Sequence, residues 1–353
     1  MTASSSSAEP SGAGRPRAAI LGCAGSTLSD GEAAFFADAD PLGFILFARN
    51  CENPAQILDL TRALRAAVGR ADAPVLIDQE GGRVARLKPP HWRVLPASAP
   101  IGALFRRDPA LGREAARLRG RLAASDLAPL GITVSCSPVL DVLQPGAHAT
   151  AIGDRAFGDD PAAVAALARA EMDGLLAGGV LPVVKHIPGH GRADADSHFG
   201  LPVVRAAAAD LMASDVAAFR AVADAPLAMT AHLLYPAWDP ARCATMSPTV
   251  VRDVIRGAIG FDGLLMSDDL SMKALGGDYA ARAAGALAAG CDVVLHCNGD
   301  PAEMRAVMAA TGPLSDEGLA RWRRAAALLA DRPQPAAFDA DRGARRLAEL
   351  LGS

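Results

Sequence analysis

Short, uniformly apolar runs recur along this chain and alternate with longer stretches whose apolar residues return at helical spacing. The runs are Ala18 to Leu21, Gly43 to Phe47, Pro74 to Ile77, Ile132 to Cys136, Leu181 to Val184, Leu227 to Thr230, Leu264 to Met266 and Asp292 to Leu295. Strands with one wet face alternate polar and apolar residues, whereas strands buried on both faces are apolar throughout, so these runs predict a parallel sheet. Helices are expected from Asn53-Pro54 to about Val68, Pro109 to about Ala128, Pro161 to Ala177, Ala206 to Val222, from Ser247-Pro248 onward, and from Tyr279 to Ala289, where Gly290 ends the pattern. A proline is tolerated in the first helical turn because its missing N–H would have no partner there, and a serine ahead of it caps free amides. Eight such units predict an α/β chain folded as a (β/α)8 TIM-type barrel. A doubly wound sheet fits less well, since no G-x-G-x-x-G follows an early strand. The residues after Glu303 read as helices interrupted at Pro333 and Pro335. About fifty residues are too few for an independent core, so they are expected to pack on the barrel, making 17–353 one domain. Residues 1–16 are rich in Ser, Gly and Pro and lack an apolar core segment, which predicts a disordered tail rather than a signal peptide.

Composition narrows the function. A net charge of −4 over 353 residues gives no basic surface for nucleic acid or anionic lipid. No uncharged apolar run approaches the ~18 residues of a membrane span. The six cysteines (Cys23, Cys51, Cys136, Cys243, Cys291, Cys297) are scattered, and none has zinc-finger spacing. That pattern predicts reduced thiols and a cytoplasmic protein, with no metal or cofactor expected.

Titratable residues gather at the carboxyl ends of the predicted strands: Asp78, Arg155, Lys185, His186 and Asp268. A barrel brings those ends to one face, where distant residues line a common pocket. The densest stretch is 183–201, V-V-K-H-I-P-G-H-G-R-A-D-A-D-S-H-F-G-L, which holds His186, His190 and His198 out of seven histidines. Several nearby residues also suit purely structural roles. Asp268 and especially Asp269 fit a helix N-terminus, Arg83 fits a structural ion pair, and Gly81-Gly82 fits a turn.

The motifs, taken together and in order, resemble glycoside hydrolase family 3. They are L-I-D-Q-E-G-G-R-V from Leu76, G-D-R at 153–155, K-H-I-P-G-H-G from Lys185, D-S-H at 196–198 and S-D-D-L-S-M from Ser267. The similarity extends from about residue 17 to 300 and is greatest to the single-domain β-N-acetylglucosaminidases of bacterial cell-wall recycling. The resemblance implies that Asp268 is a nucleophile forming a glycosyl-aspartate, and that His198 is the general acid/base with Asp196 as its partner. It also implies that Asp78, Arg86, Arg155, Lys185 and His186 hold the sugar hydroxyls and acetamido group. Gln79 departs from the family, many members having His there, and is expected to matter little. The implied ligand is a glycan, in particular a muropeptide fragment, bound by a monomer without nucleic-acid or membrane partners. A histidine acid departs from the usual carboxylate pair, but imidazole titrates near neutrality and a neighbouring carboxylate can orient it.

Three competing readings have discriminating features. A metal-dependent hydrolase would use His186, His190 and His198 with Asp196 and Asp268, yet Pro188-Gly189 prevents His186 and His190 from sharing a helical face. A non-catalytic sugar-binding protein would be expected to lack Asp268 or His198. A phosphorylase is a variant within the same enzyme class, because a neutral acid/base leaves the site less anionic toward phosphate.

Overall fold

The computed structural model describes residues 14–145, 151–194, 200–330 and 338–352. Its centre is a closed barrel of eight parallel strands. They are β1 (Arg17–Leu21), β2 (Pro41–Leu46), β3 (Val75–Ile77), β4 (Val134–Ser135), β5 (Leu181–Ile187), β6 (Leu227–Thr230), β7 (Leu264–Asp269) and β8 (Val293–His296). Each pairs with the next, and β8 returns to β1 through the Ala19–Val294, Ile20–Leu295 and Leu21–His296 pairings. All eight predicted runs are therefore strands, and the (β/α)8 expectation holds.

Their uniform apolarity has two causes, because side chains alternate across a strand. Ile20, Ile45, Leu76, Val183, Met229, Met266 and Leu295 share one buried cluster, joined by Leu314, Trp322 and Ala325 from beyond the last strand. Their neighbours Leu21, Phe44, Ile77, Val184, Ala228, Leu265 and Val294 belong to the cluster that also contains the surrounding helices' apolar residues. The C-terminal helices Pro301–Ala310, Asp316–Ala330 and Ala340–Leu351 thus pack on the barrel. At the other terminus, residues 1–13 lie outside the described residues, but the last part of the expected tail is tied down. Pro16 accepts a hydrogen bond from Leu314 N at 2.9 Å, and Arg15 pairs with Asp316 at 2.5 Å.

Most predicted helices appear within a residue or two: Pro54–Ala67 capped by Asn53, Pro109–Leu127 capped by Asp108, Pro161–Ala177 capped by Asp160, and Tyr279–Ala289. Ser247 caps its helix by accepting Val250 N at 3.1 Å, the helix spanning Val250–Ile259. The stretch 206–222 differs. It forms Ala208–Ala213 and Asp215–Arg220, broken at Ser214, because Asp215 turns inward to a 1% exposed position and pairs with Arg192 at 2.7 Å. Two further helices, Asp30–Ala39 and Ser98–Arg107, and a hairpin of Gln79–Gly81 with Val84–Ala85 occupy segments to which the apolar pattern assigns no element.

Candidate active site

The carboxyl ends of the strands surround a pocket of about 250 Å³. Asp78, Glu80, Arg86, Arg155, Lys185, His186, His190 and Asp268 all line it, with Phe47, Met229 and Met272 as apolar walls. The structure therefore brings together the expected sugar-binding residues and the expected nucleophile. Asp196 and His198 lie outside the described residues, so their expected acid/base role rests on the sequence.

At the pocket floor, carboxylates and cations alternate. Lys185, on β5 and only 2% exposed, donates to Asp78 Oδ1 at 2.8 Å and pairs with Glu80 Oε1 at 2.6 Å. Arg155 grips Glu80 through Nε and Nη2, both at 2.8 Å, and Arg86 Nη2 donates to Asp78 Oδ2 at 2.8 Å. Burial raises the Glu80 pKa, but Arg155 and Lys185 outweigh it and hold the carboxyl down to about 2. Asp78 is likewise held well below the usual carboxylate range by Lys185 and Arg86 against the effect of burial. Both are ionised at neutral pH. The carboxylates can accept hydrogen bonds from sugar hydroxyls, and the Lys185, Arg155 and Arg86 cations can donate to them, without reorganising.

Gln79 has a larger part here than the sequence suggested. It is 2% exposed, its Oε1 accepts from Arg86 N at 2.9 Å and Leu87 N at 3.1 Å, and its Nε2 donates to Leu87 O at 3.1 Å. The side chain thereby closes the hairpin that aims Arg86 at Asp78. The Arg86 guanidinium also lies over the Phe47 ring, 4.9 Å from its centroid.

His186 is oriented from behind. Its Nδ1 lies 2.7 Å from Asp141 Oδ2, and Asp141 Oδ1 accepts the backbone N–H groups of His186 (3.1 Å) and His190 (2.7 Å). Asp141 is fully buried; burial raises its pKa, but His186 outweighs that and holds it at about 2. This pairing leaves Nε2 of His186 for a ligand. His190 packs edge-on against the His186 ring at 5.3 Å, and burial with the neighbouring His186 pushes its pKa down to about 4.

The two aspartates of β7 have different surroundings. Asp269 is used structurally: Oδ1 accepts from Ser271 N (3.0 Å) and Cys297 N (3.2 Å), and Oδ2 from Ser271 Oγ (2.5 Å). Both aspartates line the pocket, but Asp268 accepts only Asp269 N–H, on Oδ1 at 2.8 Å, among the described residues. Its own N–H reaches Thr230 Oγ1 at 3.3 Å. Burial raises its pKa, yet His232 and then His186 draw it below the ordinary value, so it stands ready as an anion. His232 itself is fully buried, with Nδ1 2.7 Å from Thr245 Oγ1 and Nε2 donating to Asp269 O at 3.0 Å.

Sequence reasoning gave no role to Glu80, Asp141 or His232. Each ends or follows a barrel strand, which is the one signal that marks them. Arg83, read as an ion pair, does pair with Asp154 at 3.1 Å and stands 45% exposed at the rim. Among the described residues, no three His, Cys, Asp or Glu side chains are grouped to hold a metal ion. No helix among them is long and apolar enough to cross a membrane.

Comparison with known proteins bears on this geometry. The model of the glycosyl hydrolase family 3 N-terminal domain matches residues 24–319. A β-hexosaminidase of Bordetella avium is 43% identical over 262 residues, 72% of this chain and 73% of that protein. One from Alkalilimnicola ehrlichii is 40% identical over 283 residues, 79% of this chain and 80% of that protein. NagZ from Neisseria gonorrhoeae, solved in complex with N-trifluoroacetyl-D-glucosamine, superimposes with a TM-score of 0.84 at 31% identity, covering 96% of this chain and 98% of that one.

Proposed function

The chain belongs to glycosyl hydrolase family 3 and is a glycoside hydrolase of the β-hexosaminidase type, and we propose that it removes terminal N-acetylglucosamine from peptidoglycan fragments with retention of configuration. The carrying observation is the convergence of Asp78, Arg86, Arg155, Lys185 and His186 with a lightly bonded anionic Asp268 on one small pocket. A volume of about 250 Å³ suits one sugar ring rather than a chain, which favours exo action.

In this reading Asp268 attacks the anomeric carbon through Oδ2, its other oxygen being occupied by Asp269 N–H. The glycosidic bond breaks, His198 gives its proton to the departing oxygen, and a glycosyl-aspartate forms. His198 then takes a proton from water, whose oxygen attacks the same carbon and releases Asp268. Asp196 orients and charges that imidazole. Asp78, Lys185 and Arg155 hold hydroxyls, and His186 Nε2 with Arg86 completes recognition of the ring and acetamido group. Lys185 and the arginines that line the pocket suit recognition of hydroxyls and carboxylates, which favours a substrate such as a GlcNAc-anhydroMurNAc peptide. The six free cysteines favour a cytoplasmic protein, and we take it to act as a monomer.

The test is covalent labelling with a slow 5-fluoro N-acetylglucosaminide. Peptide mass spectrometry should find the adduct on Asp268, and Asp268→Ala should neither label nor turn over substrate. An adduct on Asp269 or Glu80 would sink the assignment. A panel of 4-nitrophenyl β-glycosides should favour the N-acetylglucosaminide over the glucoside. Turnover that depends on phosphate rather than water would make the enzyme a phosphorylase.

A further inference from the structure

Arg119 takes no part in the mechanism above, yet its guanidinium is one of the most deeply buried charges in the protein, 2% exposed in the middle of helix Pro109–Leu127. An isolated buried cation is costly, so its surroundings must compensate. Nη2 donates to Glu171, also 2% exposed on helix Pro161–Ala177. Nη1 donates to Ser98 Oγ at 3.1 Å and to Pro96 O at 3.3 Å. The guanidinium carbon lies 5.1 Å from the centre of the Phe157 ring.

Two of these partners adjoin the segments that carry residues of the sugar pocket. Phe157 is two residues past Arg155, and its carbonyl is so close to Gly102 that a Cβ there would approach it within 1.6 Å. The chain segment holding Arg155 is therefore pressed against helix Ser98–Arg107 on one side and stacked under Arg119 on the other. Pro96 backs the opposite jaw. Its carbonyl would lie 2.3 Å from a Cβ on Gly81, whose positive φ of 95° also demands glycine, and Gly82 N donates to Leu95 O at 2.8 Å. Gly81 follows Glu80. One planar guanidinium thus braces the two segments whose Glu80–Arg155 pair closes the pocket floor.

We propose that Arg119 is a positioning residue for the sugar subsite, holding Glu80 and Arg155 in register through Pro96 and Phe157. The proposal rests on Arg155 belonging to that subsite. Lysine cannot replace Arg119 here. A single ammonium can take the place of Nη2 at Glu171 or of Nη1 at Ser98 and Pro96, but it cannot fill both places and also cover the Phe157 ring.

The experiment compares Arg119→Lys, Phe157→Leu, Arg155→Ala and the Arg119→Lys/Arg155→Ala pair. N-acetylglucosamine affinity is measured by calorimetry, alongside steady-state kinetics on 4-nitrophenyl N-acetyl-β-D-glucosaminide. Arg119→Lys and Phe157→Leu should each raise Kd and KM roughly tenfold while kcat changes by about twofold or less. A purely structural role would lower the active fraction, reducing kcat and leaving Kd and KM alone. In the Arg155→Ala background Arg119→Lys should add almost nothing, because the group it positions is gone. If Arg155→Ala leaves Kd unchanged, the subsite reading itself fails. If Arg155→Ala weakens binding but folded Arg119→Lys and Phe157→Leu do not, or if the pair's losses multiply, the positioning role is overturned.

Discussion

Replacing Glu80 by glutamine tests the charge network of the pocket floor with almost no change in shape. Glu80 is 4% exposed and accepts two hydrogen bonds from Arg155 and one close contact from Lys185. In Glu80→Gln one oxygen becomes an NH2 group that must face either Arg155 or Lys185, donor against donor. Removing one charge from a buried pair costs about 3–5 kcal/mol, because the remaining cation is left undercompensated. Lys185 keeps Asp78 as a partner, so the lower part of that range, about 3 kcal/mol, is expected. For a chain of this size that loss lowers Tm by roughly 4 °C. Arg155, freed on one side, is misaimed, and a misplacement of about 1 Å lowers kcat/KM by up to ~100-fold. The control is Asp154→Asn, which removes a rim pair with Arg83 that is half exposed on both sides and contributes ~0–1 kcal/mol. Scanning calorimetry and kinetics on 4-nitrophenyl N-acetyl-β-D-glucosaminide measure both effects. A Glu80→Gln protein matching Asp154→Asn in Tm and kcat/KM would refute the argument that this pair organises the floor.

Further expectations follow from other parts of the site. Asp269→Asn should lower stability by about 1–3 kcal/mol through its lost bonds to Ser271 and Cys297 while labelling of Asp268 by the fluoro sugar persists; loss of labelling in a folded protein would place Asp269 in the chemistry. His198→Ala should slow substrates with poor leaving groups far more than activated aryl glycosides, and azide should rescue the second step; equal losses without rescue would remove it from the acid role. Gln79→Ala should raise KM by freeing Arg86, and an unchanged KM would show that the hairpin holds its shape without that amide. Stability should fall in acid in two overlapping steps. His190 stays neutral when folded down to about 4 against 6.5 for the free group, so its contribution is lost as pH falls from 6.5 toward 4. Glu80 and Asp141, held at about 2, contribute above their unfolded values of 4.5 and 3.8 and lose that contribution as pH falls toward 2. His190→Asn should flatten the first step in urea midpoints, and an unaltered slope would exclude His190 as its source.

The order of the elements was legible because a barrel strand is buried on both faces. Its sequence must then be apolar throughout, and Gly43 to Phe47 or Leu227 to Thr230 cannot be mistaken for wet-faced strands. The same rule marked Asp78, Lys185, His186 and Asp268, since a charged residue at the end of such a run emerges at the barrel's carboxyl face. Ser29-Asp-Gly-Glu32 carried a capping-box signal for helix Asp30–Ala39 that the apolar pattern alone did not reveal; both of its reciprocal hydrogen bonds are present. What the sequence does not contain is pairing between distant positions. Local sequence separates Asp268 from Asp269 only by one position past the strand; the larger difference is that Ser271 and Cys297 occupy the Asp269 carboxylate, whereas that of Asp268 accepts a single backbone N–H. Asp141 reads as the tail of an apolar run until closure of the barrel sets it against His186, 45 residues away. Glu80 becomes a floor residue only where Arg155, 75 residues on, and Lys185 reach it. Local sequence specifies which side chains reach the carboxyl face, because strand burial is a local property. Which of them ionise, pair or remain free depends on charges brought within a few ångströms by the closed sheet, and that proximity exists only in the folded chain.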